Sequence, residues 1–138
     1  MPTLQLKLTP AGPAPAQAAL MAELAADLTQ LTAAVLGKRP EVTAVMVEAL
    51  PPAQWFIGGV LVTQATAWLA ISITAGTNTA AQKADFIAQA YALLQRHLGP
   101  LAPASYVIVQ ELPASDWGYG GQTQAARQQA RQRAVQPA

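Results

Sequence analysis

Few residues in this chain could do covalent or metal chemistry. It has no cysteine, which removes thiolate catalysis, disulfides and Cys-ligated zinc, and its single histidine, His97, cannot build a histidine metal cluster. No metal and no cofactor is therefore expected. Glu48, Glu111 and Asp116 are of the type that activates water in hydrating enzymes, but their positions form no obvious pair. Lys38 and Arg39 follow a predicted helix end, where the negative pole of the helix dipole favours a cation. Arg127, Arg131 and Arg133 place three of the eight cations in a tail with no acid after Asp116. Directly behind Met1 stands Pro2.

The elements that must position these residues come from an apolar chain. With 52% apolar and 11% charged residues there is enough material for one domain spanning residues 1–138 with a buried core. A formal charge of +1 leaves no broad basic surface for phosphate backbones, so no nucleic-acid partner is expected. Charges are too few to cover a monomer's surface, which favours a homo-oligomer. "MPTLQLK" alternates where a signal peptide would run apolar, and the later Ala/Leu-rich stretch carries Glu23 and Asp27. A cytoplasmic protein with no membrane partner is the expectation.

Leu4, Leu6 and Leu8 alternate with Gln5, Lys7 and Thr9, the period of a strand with one buried face. From about Ala14 to Leu36 the residues Leu20, Leu24, Leu28, Leu31 and Val35 recur at helical steps, with Gly37 as the stop and Pro40 beyond. "TAVMVEAL" (43–50) reads as a second strand. The second half repeats this order. "AWLAISIT" (67–74) is a strand, Thr77, Asn78 and Thr79 offer N-caps, the stripe Phe86, Ile87, Ala90, Tyr91, Leu94 and Leu98 a helix, and "SYVIVQEL" (105–112) a strand. "ALPPAQWFIGG" and "ELPASDWGYGG" close the two halves, with Trp55 and Trp117 sixty-two positions apart. The expectation is an α+β fold of tandem β-α-β repeats (about 2–62 and 67–124): a four-stranded mixed sheet with two helices on one face, with sheets from several subunits packed around an axis. The glycine pairs suit short edge hairpins.

On these repeats, and on Pro2 and the Trp-plus-glycine phrases, the chain resembles the tautomerase superfamily, which includes 4-oxalocrotonate tautomerase and macrophage migration inhibitory factor. Two units in tandem resemble its long, trimeric members. The resemblance implies that Pro2 is the catalytic residue once Met1 is removed. The chemistry is clear: a free α-amino group titrates at about 7.7 to 8.0, apolar surroundings lower that value further, and the ring amine then serves as a general base near neutrality. Still joined to Met1, the same nitrogen would be a non-basic amide. The arginines that bind carboxylate in 4-oxalocrotonate tautomerase would fall near Gly12 and near Ala44 or Tyr106, and no arginine stands there. "GKRPEVTAVMV" (37–47) is instead similar to the loop and strand of macrophage migration inhibitory factor that carries its active-site lysine. The resemblance thus implies Lys38 as the carboxylate-holding cation, Ile73 as apolar lining, and Tyr106 as a residue crossing from a neighbouring subunit. Ile108 replaces an asparagine of that pocket. Trp117 is expected to wall the site; Trp55 is read as packing, and His97 is given no chemistry.

The implied function is keto-enol tautomerisation of a 2-keto or enol carboxylate such as phenylenolpyruvate. Alternatives are a decarboxylase, hydratase or dehalogenase of the same superfamily, or a non-catalytic binding homologue. The tail (about 125–138) reads as a glutamine-rich frayed segment; the sharper alternative has it fold over a neighbour's pocket and supply the missing cation. Since the amine must be free, intact-mass measurement of active protein is expected to give the mass without Met1; full activity in material retaining methionine would remove proline-base catalysis.

Overall fold

The computed structural model describes residues 2–10 and 12–135. Met1, and with it the question of its removal, lies outside the described residues, as do the last three positions of the tail. The elements follow the repeat: strand β1 (Thr3–Thr9), helix α1 (Ala14–Leu36), strand β2 (Ala44–Ala49) and a hairpin of β3 (Phe56–Ile57) and β4 (Val60–Leu61). Then come β5 (Thr66–Thr74), α2 (Ala80–Leu98), β6 (Tyr106–Leu112), a hairpin of β7 (Gly118–Tyr119) and β8 (Gln122–Thr123), and α3 (Gln124–Val135).

β1, β2, β5 and β6 form one mixed sheet in the order β2-β1-β5-β6. Each crossover helix returns the chain parallel to its own first strand, and the two repeats join through the antiparallel pair β1–β5. That register sets Leu4 opposite Ile71, Leu6 opposite Leu69 and Leu8 opposite Ala67, all on one face and all fully buried. Burying such a leucine or isoleucine contributes roughly 2 kcal/mol, so this central row is the strongest single feature of the core. Leu24, Leu28, Thr32 and Leu36 of α1 recur every four residues and cover it, together with Phe86, Ala90, Leu93 and Leu94 of α2. The Thr32 hydroxyl, buried in this stripe, donates to the Leu28 carbonyl at 2.7 Å. By length and composition α1 could cross a membrane; here its apolar stripe packs on the sheet. His97 Nε2 of α2 lies 2.7 Å from Asp27 Oδ2 of α1, linking the helices on their outer side.

The helix ends are made as the sequence predicts. Gly37 closes α1 at φ 69°, and Thr79 caps α2 in a capping box with Gln82. Among the described residues, no helix covers the opposite face of the sheet. It presents Met46 and Tyr106, 52% and 60% exposed, beside Trp68 and Ile108.

The tail departs from the frayed segment expected of it. From Gln124 it forms α3, whose first turn is fastened to the second hairpin: Gln124 N–H donates to the Trp117 carbonyl and Ala125 N–H to the Ala114 carbonyl, both at 2.9 Å. Arg127 Nη2 donates to the Tyr119 carbonyl at 2.9 Å, with its guanidinium 3.7 Å from the centre of the Tyr119 ring. These ties fix the hairpin geometry closely. A Cβ on Gly118 would stand 1.9 Å from the Gln122 carbonyl oxygen, so Gly118→Ala must force β7 and β8 apart. Overpacking of this kind costs about 1–3 kcal/mol, and a lowered Tm in thermal denaturation is the expected result; an unchanged Tm would show the hairpin free to adjust.

Candidate functional site

Pro2 stands one residue before Thr3, which faces Ala44 of β2 on one side and Ser72 of β5 on the other. Its carbonyl accepts the Ala44 N–H at 3.3 Å, and the residue is buried. The start of β1 is therefore held between two strands, at the sheet end where β5 and β6 finish in Thr74 and Leu112.

Lys38 reaches this end from the opposite layer. The left-handed turn at Gly37 ends α1 and directs the chain across the end of the sheet. Lys38 Nζ donates to Thr77 Oγ1 at 2.9 Å, and that hydroxyl donates to the Thr74 carbonyl at 2.6 Å. Asn78 Nδ2 donates to the Leu36 carbonyl at 3.0 Å, tying the approach to α2 to the last turn of α1. Partial burial holds the Lys38 ammonium below the usual lysine pKa, because desolvation penalises its charge.

Beside Lys38 opens a cleft of about 200 Å³. Gly37, Lys38, Arg39, Thr74 and Thr77 form one wall, and Gln124, Gln128 and Arg131 of α3 the other. The α3 residues are spaced four and three apart, so they share one helical face. Arg39 is engaged with Glu41 at 2.8 Å, and among the described residues no carboxylate lines the cleft. Gln124 is 3% exposed, and its amide nitrogen has no hydrogen-bond partner. Two cations facing a cavity without an acid make a place suited to an anion.

The other residues singled out in the sequence fall as follows. Trp117 lies at the same end of the molecule, but lines a separate depression of about 280 Å³ within the second hairpin, together with Asp116. Its indole N–H is enclosed and unpartnered. Gln124 bridges the two hollows, lining one and bonded through its backbone to Trp117 in the other. Ile73 is a correction. It is fully buried in the core, on the same face of β5 as Leu69 and Ile71, so it packs beneath the helices and offers no surface to a ligand. Tyr106 pairs with Trp68, which pairs with Lys7. At about 3.3 Å per residue that is roughly 15 Å along the sheet from Pro2, so one protomer does not bring Tyr106 and Pro2 together.

The carboxylates stay apart as well. Glu48 of the edge strand β2 pairs with Lys7 of β1 in the half of the sheet away from Pro2, and Asp116 accepts the Ser115 hydroxyl at 2.7 Å. Glu111 accepts from Lys83 Nζ and from the Gly76 N–H, and these two interactions, the lysine's first, hold its pKa below the usual carboxylate value. Gln124 and Gln128 carry no motif in the sequence, and Thr77 is legible there only as a candidate N-cap. The four-three spacing of Gln124, Gln128 and Arg131 was the available signal.

A family model described as Tautomerase enzyme matches residues 68–127. No curated protein matches the chain. Among solved structures, a fused 4-OT designated F6, a wild-type asymmetric trimer, is 29% identical with a TM-score of 0.79, over 91% of this chain and 98% of that one. A native fused 4-OT is 28% identical with a TM-score of 0.75, over 90% and 97%. The macrophage migration inhibitory factor-like protein of Entamoeba histolytica shares the fold at 19% identity and a TM-score of 0.72, over 88% and 97%.

The Glu111 pairing has a definite pH sign. A carboxylate with a depressed folded pKa contributes stability that is complete above its unfolded pKa and is lost as pH falls through the folded one. Denaturant unfolding of the wild type and of Lys83→Met is expected to differ at neutral pH and to converge as pH drops below the ordinary carboxylate range. Parallel curves throughout would show that Lys83 does not hold Glu111.

Proposed function

We propose that the chain is a member of the tautomerase superfamily with two fused β-α-β repeats, and that it is a cofactor-independent keto-enol tautomerase acting on a 2-keto or enol carboxylate such as phenylenolpyruvate. Pro2, freed of Met1, is the general base and acid. Its ring nitrogen takes the enol hydroxyl proton as the carbonyl forms, and a proton is delivered to the neighbouring carbon, so the product is the keto acid and the amine is regenerated. Lys38 holds the carboxylate and stabilises charge that develops on the oxygen. Trp117 lies in the adjoining hollow and borders the site through Gln124, whose backbone N–H its carbonyl accepts.

The observation that carries this reading is the common location of Pro2 and Lys38 at one end of the sheet: the proline beside the last residues of β5, the lysine hydrogen-bonded to Thr77 just beyond them. Pro2 is buried. Tyr106, at the far end of its own sheet, would join the site from a neighbouring copy in a trimer. The bare sheet face with Met46, Trp68 and Ile108 is suited to that assembly, and the fused 4-OT structures include trimers. Hydration or dehalogenation has less support, because both need an activated water and Glu111 is engaged with Lys83 and Gly76.

Replacing Pro2 with alanine keeps a terminal amine but removes the secondary ring nitrogen. Ketonisation of phenylenolpyruvate, followed by loss of enol absorbance, is expected to slow by about 10²- to 10⁴-fold in kcat for Pro2→Ala. A wild-type rate in that variant, with methionine removal verified by mass, would end the proline mechanism.

A further inference from the structure

We propose that α3 completes the substrate site of its own protomer, with Arg131 as a second carboxylate-binding cation opposite Lys38. The cleft beside Lys38 is walled on its other side by the Gln124, Gln128 and Arg131 face of α3. Arg39, the remaining cation there, is bonded to Glu41. Among the described residues Lys38 and Arg131 form no ion pair, so both charges are available to an incoming anion.

Three further features favour a built site over a chance approach of a surface arginine. Gln124 is almost wholly enclosed, lines the cleft and has an amide nitrogen without an acceptor. α3 is pinned one turn before Arg131 by the Arg127 contact with the Tyr119 carbonyl and ring, so the helix face that meets the cleft is fixed. The cleft floor is also fixed, through Lys38 to Thr77 and Asn78 to Leu36. A carboxylate between a planar guanidinium and an ammonium receives the charge-assisted, bidentate bonding for which arginine is suited. At about 200 Å³ the cleft has room for the head of a small organic acid. Arg131 is thus a specificity-determining residue: it selects substrates bearing a carboxylate next to the reacting carbonyl.

This inference rests on the tautomerase reading for the identity of the acid, and its test is kept apart from turnover. Benzoylformate is a 2-oxo acid with no hydrogen on the neighbouring carbon, so it can occupy the site without tautomerising. Titration calorimetry of the full chain is expected to show benzoylformate binding that weakens by about 10- to 100-fold in Arg131→Ala and in Lys38→Ala, the range of a hydrogen bond to a charged group. Arg131→Lys should recover part of the affinity. Arg133→Ala, which alters an exposed cation outside the cleft, should leave it unchanged, and the neutral methyl ester of the probe should bind poorly to every form. In turnover of phenylenolpyruvate, Arg131→Ala should raise KM far more than it lowers kcat. Absence of benzoylformate binding to the wild type, or equal binding by wild type and Arg131→Ala, would overturn the assignment. A fully active Pro2→Ala variant alongside intact Arg131-dependent binding would reject the proline mechanism and leave this anion site standing.

Discussion

The antiparallel pairing of β1 with β5 is the contact on which the rest of the molecule depends. A β-α-β unit alone leaves its first strand with a free edge and a half-covered apolar face. Two such units remove both problems by sharing their first strands: Leu4, Leu6 and Leu8 meet Ile71, Leu69 and Ala67, and the paired helices then cover a continuous row. The same pairing makes β1 an interior strand although it begins the chain. Chain beginnings are commonly loose, yet Thr3 is hydrogen-bonded into strands on both sides, and the residue before it is carried into the structure. A terminal amine can be positioned for proton transfer only where its strand is held in this way.

Much of this architecture was readable because it rests on two simple periods. The four-step leucines of α1 and the alternation of β1 are local signals, and Gly37 and Thr79 end or begin their helices for local reasons. Ile73 is instructive because the local signal was present and was outweighed by resemblance. It shares the odd-numbered parity of Leu69 and Ile71, so the period of two already assigns it to the core face. Tyr106 is a different case, because its expected role lies across a subunit boundary. Nothing in its neighbourhood says which end of a neighbouring sheet it meets, since that depends on β6 lying parallel to β5 and on the packing of other copies.

The tail was illegible because α3 has almost no apolar stripe. Gln, Arg and Ala along 124–133 are good helix formers, but without an apolar stripe they read as a solvated segment, and the partners that seat the helix are not signalled by its own pattern. Those partners are the Trp117 and Ala114 carbonyls and the Tyr119 ring, all in the second hairpin. The two closing phrases of the sequence therefore have different fates. After the first hairpin the chain enters β5 and is used up in the sheet. After the second no strand position is left within the protomer, and the chain turns back as a helix over the Lys38 cleft.

That asymmetry decides how many sites a pseudo-symmetric protomer can carry. Displacing Pro2 and Lys38 by the sixty-two residues of the repeat leads to Gln64 and Pro100. Gln64 lies within the chain, so its backbone nitrogen is an amide with no basicity, and Pro100 supplies no cation. Arg131, moved back by the same interval, becomes Leu69, a core residue of β5. Each ingredient that makes one end of the sheet suited to a carboxylate and a proton transfer is thus absent from its counterpart. On the proposed reading, proton transfer at Pro2 and carboxylate binding at Lys38 and Arg131 therefore belong to one end of the sheet and have no counterpart at the repeat-related positions.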